Sequence, residues 1–229
     1  MCGRYALATP TEELVEVFDV GHVAFLEGFR RYNVAPTQSA PVIIQGRQGE
    51  RRMGLMRWGL VPFWAESPAL GGRLINARSE TAATKPAFRE AWRRRRCVVP
   101  ADGFYEWRKP EAGGTGGKTP FWIHRGDGRP LGMAGLWERW RGSESGDELH
   151  SFTILTRPAS AWMSPLHDRM PALLEGDAIG AWLTPGADLP PSDGIRLSAH
   201  EVSRRVNSPA NDEPECIEVV EGGEVVPPG

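Results

Sequence analysis

The run Cys97-Val98-Val99-Pro100-Ala101-Asp102-Gly103-Phe104-Tyr105-Glu106-Trp107-Arg108 decides the fold class. It holds two short stretches of β-branched and aromatic residues, 97–99 and 104–108, parted by Pro, Asp and Gly, and such stretches read as strands. Similar ones recur at 3–8, 42–44, 55–59, 121–124, 133–137, 152–156 and 216–219. Helical signals are fewer: 11–17 opens with a Thr-Glu-Glu-Leu cap, 86–94 begins with Pro86 in its first turn, and 177–183 follows Gly176. Residues 111–118 (EAGGTGGK) and 141–148 (RGSESGDE) lie between strand-like stretches and read as hairpin loops, while 221–229 reads as a flexible tail. Many short strands with scattered helices predict an α+β fold, a mostly antiparallel barrel-like β-sheet with a few peripheral helices. At 229 residues without internal repeats the chain suits one domain, placed at 1–220.

Apolar residues at 40% and charged residues at 24% are ordinary globular values, and no run approaches the ~20 apolar residues of a membrane helix, so no membrane partner is expected. The opening Met-Cys-Gly-Arg-Tyr-Ala-Leu lacks the apolar core of a signal peptide. Three cysteines, Cys2, Cys97 and Cys216, do not make a disulfide framework, and a reducing, cytoplasmic setting is expected. A net charge of -2 argues against a protein that clings to nucleic acid over its whole surface. Yet among the 27 basic residues only Lys85, Lys109 and Lys118 are lysines. Arginine suits bidentate phosphate contact and stacking on bases, although a GC-rich genome produces the same bias. The histidines and cysteines show no ligand spacing, so neither a metal nor a cofactor is expected.

Cys2 directly follows the initiator Met, and a small residue there is the usual context for Met removal. Removal frees an α-amine beside the thiol, with reference pKa values near ~8 and ~8.5, so one residue then carries two nucleophiles near neutral pH. An amine and a thiol on neighbouring carbons condense with an aldehyde, through a Schiff base, to a thiazolidine; the same residue can attack an amide. The bland alternative is a small buried hydrophobe in the first strand.

Four further segments set polar groups among apolar or turn residues. Glu106 sits between aromatics, where desolvation raises its pKa toward proton-shuttle duty unless an arginine pairs with it. Asn76 and Arg78 follow the apolar pair Leu74-Ile75, as at a strand end presenting an amide and a guanidinium together; an N-cap role for Asn76 stands level with that. Residues 32–37 (YNVAPT) read as turn chemistry fixed by Pro36. His167, in 166–171 (LHDRMP), titrates near working pH, although a histidine satisfied within the structure is the commoner case.

Together with Met1-Cys2-Gly3-Arg4-Tyr5, these segments closely resemble the SRAP family of abasic-site processing proteins. The match runs in order over nearly the whole chain, through Asn33-Val34-Ala35-Pro36, Ile75-Asn76-Ala77-Arg78, Gly103-Phe104-Tyr105-Glu106-Trp107 and His167-Asp168-Arg169. The resemblance implies a single SRAP-like domain that senses abasic sites in single-stranded DNA. Its N-terminal cysteine bonds to the aldehyde of the abasic sugar as a thiazolidine crosslink, shielding the lesion in the replication-linked DNA damage (SOS) response. Lyase-type chemistry and peptidase-type self-processing of Met1 are implied as well.

Carried over residue by residue, Cys2 is the nucleophile, Asn76 holds the cysteine and deoxyribose, Glu106 manages protons on the α-amine, and His167 protonates the ring oxygen to open the sugar. Arg4 and Arg78 grip phosphates, Trp107 stacks on a base and Thr156 donates a hydroxyl, with Asn33 and Pro36 also at DNA-binding positions. Trp58 and Trp64 read rather as core. The partner implied is abasic single-stranded DNA, bound by a monomer that becomes nucleoid-associated on damaged DNA. Met170 follows Arg169 where some relatives carry a second arginine, and Pro41-Val42 stands where a wedge at the DNA junction would be. Two other classes stay open. An N-terminal-nucleophile peptidase or amidohydrolase would use Cys2 on an amide, but no clear oxyanion-hole signature accompanies it. A non-covalent single-strand binding module would need the arginines and tryptophans but not Cys2.

Overall fold

The computed structural model describes residues 2–25, 28–110, 117–142, 146–192 and 194–227. In chain order its strands are β1 (Tyr5–Leu7), β2 (His22–Val23), β3 (Arg31–Val34), β4 (Ser39–Gln45), β5 (Arg51–Trp58), β6 (Asn76–Arg78), β7 (Arg96–Ala101), β8 (Gly103–Arg108), β9 (Thr119–Arg125), β10 (Leu131–Arg141), β11 (Glu148–Pro158), β12 (Arg169–Pro171), β13 (Leu173–Leu174), β14 (Leu197–Glu201) and β15 (Val225–Val226). Its helices are α1 (Thr11–Phe18), α2 (Ser79–Ala82), α3 (Arg89–Arg94) and α4 (Asp177–Leu183).

One sheet has the order β15-β14-β9-β8-β1-β3 and is antiparallel throughout. The other runs β12-β11-β10-β7-β4-β5-β2, and β5 pairs back onto β11 in parallel, Arg57 against Ser151 and Trp58 against Phe152. That last pairing closes β11-β10-β7-β4-β5 into a five-stranded barrel and leaves those strands without a free edge. The chain therefore adopts the α+β, mostly antiparallel, barrel-like architecture expected of it. Trp58 and Phe152 are fully buried and stack with ring centres 6.3 Å apart, while Tyr5 meets Trp58 edge-on at 5.2 Å. Burying one such side chain contributes about 1.5–3 kcal/mol.

The stretch from Cys97 to Arg108 joins the two sheets: β7 belongs to the barrel, β8 to the six-stranded sheet, and only Asp102 stands between them. The Asp102 carboxylate locks this corner by accepting from the Ala8 amide at 2.6 Å, the Thr9 amide at 3.2 Å and the Thr9 hydroxyl at 2.6 Å. Gly103 is required by close approach, since a Cβ there would collide with the Ile123 carbonyl and the Trp122 ring.

Several local expectations are corrected. Residues 32–37 are not wholly a turn: the first three belong to β3, whose Tyr32 and Asn33 amides donate to the distant Asp212 carboxylate. Instead of a strand at 216–219, a 3-10 turn spans Pro214–Cys216, and Val219 makes only an isolated bridge to Val202. The helix expected at 86–94 begins at Arg89, and α1 is preceded by Pro10 without a side-chain cap. The described part of the tail is held, with Val225–Val226 paired on β14 and Glu224 forked by Arg108 at 2.7 and 2.9 Å. Residues 111–116 and 143–145 of the two expected loops lie outside the described residues. Among the described residues no helix is long and apolar enough to cross a membrane.

Candidate active site

Cys2 leads into β1, which lies between β3 and β8, and its side chain is fully buried. Its neighbour β8 carries Glu106. From the barrel, β6 pairs in parallel with β11, Asn76 opposite Ile154 and Arg78 opposite Thr156. The Asn76 side-chain amide reaches across and donates to the Cys2 carbonyl at 2.7 Å. Asn76 Oδ1 is buried with no hydrogen-bond partner among the described residues, an acceptor available to a ligand hydroxyl or amine. The turns before β12 deliver His167, whose Nε2 lies 3.9 Å from Glu106 Oε2. On the ring's other side the Arg169 amide nitrogen lies 3.0 Å from Nδ1. Asp168 Oδ1 is 2.8 Å from Nδ1 and balances the ring when it charges.

The electrostatics follow from burial. Loss of solvent, reinforced by the charge of Glu106, pushes the Cys2 thiol well above its ordinary range, so its resting form is the thiol and reaction requires a base. Burial pushes Glu106 up to about 7. Burial also moves His167 below its ordinary value. A carboxyl raised to about 7 beside an imidazole lowered from its ordinary value is suited to moving protons to and from a reacting group. The described residues contain no cluster of three or more His, Cys, Asp or Glu arranged to hold a metal ion.

Around this centre stand the remaining sequence-predicted positions. Arg4 Nη1 donates to Asn33 Oδ1 at 2.7 Å and the Val206 carbonyl at 2.8 Å, and Nη2 to the Asn207 carbonyl at 3.5 Å. Its guanidinium carbon lies 5.9 Å from the centre of the Trp107 ring, and the Trp107 indole N–H donates to Asn207 Oδ1 at 2.7 Å. Arg78 is exposed at the end of β6, and Pro36 is half-buried in the turn after β3. The next residue, Thr37, has φ 72°, an uncommon backbone for a β-branched side chain.

Asn33 and Thr156 are fully buried and present no surface to a ligand in this conformation. Asn33 holds Arg4 and donates to the carbonyls of Ser208 and Asn211 at 3.0 and 2.6 Å, while Thr156 accepts from Arg169 Nη2 at 3.2 Å. Trp58 is core as expected, but Trp64 is 51% exposed.

Sequence reasoning missed Glu80, whose carboxylate is forked by Arg169 and held by it at about 2. It also missed Asn207 and Asp212. Their signal was the turn-rich run Asn207-Ser208-Pro209-Ala210-Asn211-Asp212, which says loop but not what the loop holds.

The sequence matches the family model described as SOS response associated peptidase (SRAP) over residues 1–209. It is 38% identical over 231 residues to the abasic site processing protein YoqW of Bacillus subtilis, covering 95% of this chain and 99% of that one. With the abasic site processing protein YedK of Escherichia coli identity is 33% over 236 residues, covering 96% and 100%. With the abasic site processing protein HMCES of Xenopus tropicalis it is 32% over 225 residues, covering 82% of this chain and 66% of the relative. Among solved structures, a Bacteroides thetaiotaomicron protein superposes with a TM-score of 0.82 at 25% identity, covering 96% of this chain and 100% of the other.

Proposed function

The chain belongs to the SRAP family, and from that premise we propose that it captures abasic sites in single-stranded DNA as a covalent thiazolidine through Cys2. The observation that carries this reading is the second-residue cysteine, buried and gripped by Asn76, beside the Glu106–His167 pair at 3.9 Å. The abasic sugar is mostly a closed hemiacetal. His167 gives a proton to the departing ring oxygen while the C1 hydroxyl releases its own to Glu106, which frees the aldehyde with no net change in protons. The α-amine of Cys2, exposed once Met1 is removed, adds to the aldehyde carbon, and loss of one water gives a Schiff base. The thiol then delivers its sulfur to the same carbon and its proton to the imine nitrogen by way of Glu106, closing the ring. Overall, one water leaves per crosslink.

Burial makes the order meaningful, because a thiol held far above its usual pKa does not compete until a neighbouring base takes its proton. Arg4 and Arg78 hold flanking phosphates and Trp107 offers a ring to a base, contacts that carry little sequence information. One copy of the chain serves one lesion.

Incubation with an abasic single-stranded oligonucleotide and intact-mass spectrometry test the proposal. The expected species is the chain without Met1 plus the oligonucleotide minus one water, absent from Cys2→Ser. Equal crosslinking by Cys2→Ser, or by protein that retains Met1, overturns it. Hydrolysis of a peptide by the parent with no DNA adduct points instead to an amidohydrolase that uses the same thiol.

A further inference from the structure

The segment from Arg204 to Asp212 crosses the rim of the site beside Arg4 and Trp107, with a 3-10 turn at Arg204–Asn207. Three of its contacts reach DNA-facing candidates directly: Asn207 Oδ1 accepts the Trp107 indole N–H at 2.7 Å, and the carbonyls of Val206 and Asn207 accept from Arg4 at 2.8 and 3.5 Å. Its far end is tied down by Asp212, whose carboxylate accepts the Tyr32 amide at 2.7 Å and the Asn33 amide at 2.8 Å and also pairs with Arg31.

Every described acceptor of Arg4 is a neutral oxygen, one side-chain amide and two main-chain carbonyls. The guanidinium is thus oriented without having its charge cancelled. Both Nη1 hydrogens are used, while Nη2 makes a single long contact, which leaves it an N–H for an incoming anion. Beside it, the Trp107 ring is pinned by its own N–H and is therefore not free to swing away.

We infer that Asn207, anchored through Asp212, is a positioning residue that presets Arg4 and Trp107 as one subsite for a nucleotide, the phosphate on the guanidinium and the base on the indole. Asn207 acts through Trp107 and touches no reacting atom. The inference rests on the single-stranded DNA reading above, and it concerns grip rather than bond making. A preset ring saves the cost of ordering it on binding.

The test uses the full chain and two single-stranded oligonucleotides, one intact and one abasic. Asn207 is exposed, so Asn207→Ala is expected to fold with an unchanged melting temperature. Base–aromatic stacking contributes to single-strand affinity, so partial loss of the platform is expected to weaken Kd for the intact oligonucleotide about five- to tenfold. The crosslinking rate at saturating abasic DNA is expected to stay within about twofold, since no proton-transferring group moves. The discriminating step is a double-mutant cycle: Trp107→Phe keeps a ring but lacks the N–H, so Asn207→Ala added to it is expected to cost nothing further.

Asp212→Asn is the second variant, expected to weaken intact-DNA binding in the same direction while sparing the saturated rate. Unchanged affinity in Asn207→Ala, full additivity with Trp107→Phe, or an equal fall in affinity and saturated rate overturns the inference. Failure of the parent to bind intact single-stranded DNA sinks instead the DNA reading on which it depends.

Discussion

Glu106 and Glu138 are equally buried, each 3% exposed, on strands of the two different sheets, yet they live in opposite electrostatic settings. Glu138 on β10 is compensated: Arg95 donates to one oxygen at 2.7 Å and the Arg139 amide to the other at 2.9 Å. Burial raises its pKa while Arg95 pulls it back. Glu106 on β8 has an imidazole 3.9 Å away, and burial carries it up to about 7 against the pull of the amino terminus. Burial alone therefore does not set the state of a carboxylate. What differs is the partner, a permanent cation beside Glu138 and a titratable ring beside Glu106.

The largest expected effect that can break this comparison is kinetic. Glu106→Gln keeps the shape but cannot exchange a proton, and crosslink formation is expected to slow by about a hundred- to ten-thousand-fold. Glu138→Gln is expected to leave the rate within about twofold, measured by gel quantification of adduct over time. Parental rates in Glu106→Gln, or a loss confined to Glu138→Gln, would reverse the assignment.

The next effect is on stability and has a definite sign. Folded Glu106 keeps its proton up to about 7, against an ordinary value of 4.5, so the parent loses stability as pH rises between those two values. Glu106→Gln removes that loss. Its gain over the parent is expected to be near zero at low pH and up to about 3 kcal/mol at alkaline pH, read from denaturant midpoints. A gain that does not grow with pH counts against the burial argument.

Glu138→Ala is expected to move the other way, costing about 2 kcal/mol at neutral pH by leaving Arg95 and the Arg139 amide without their acceptor. The crosslinking rate of the surviving folded protein is expected to be unchanged.

The smallest effect belongs to a third carboxylate, Asp168, whose side chain is 87% exposed although it touches the His167 ring. Solvent screens that pair. Asp168→Asn is expected to lower the apparent pKa of His167 slightly, visible as a small acid shift of the NMR titration of that ring.

The particular residues that were legible in the sequence are those whose meaning is local. The strand content around Cys97 and Phe104, the helix at Asp177–Leu183, the second-position cysteine, and a carboxylate set among aromatics all declare themselves within a few residues. Strand β3 did not, because what satisfies its amides is Asp212, some 180 positions away along the chain. That Asn33 and Thr156 are buried against Arg4 and Arg169 was likewise not legible, because those partners are distant or set by the fold. Trp64 read as core because an exposed indole and a buried one share the same local pattern.

What could be read from the chain alone was the class of fold and the residue types that make up the candidate site, because propensity, patterning and side-chain chemistry are properties of short segments. Only the tertiary structure decided that β5 returns to β11 to close a barrel, that Asn76 meets the Cys2 carbonyl, and that Glu106 faces His167 while Glu138 faces Arg95. Those are pairings between distant segments, fixed by which surfaces bury one another, and a carboxylate's working pKa is set by that burial rather than by its neighbours in the chain.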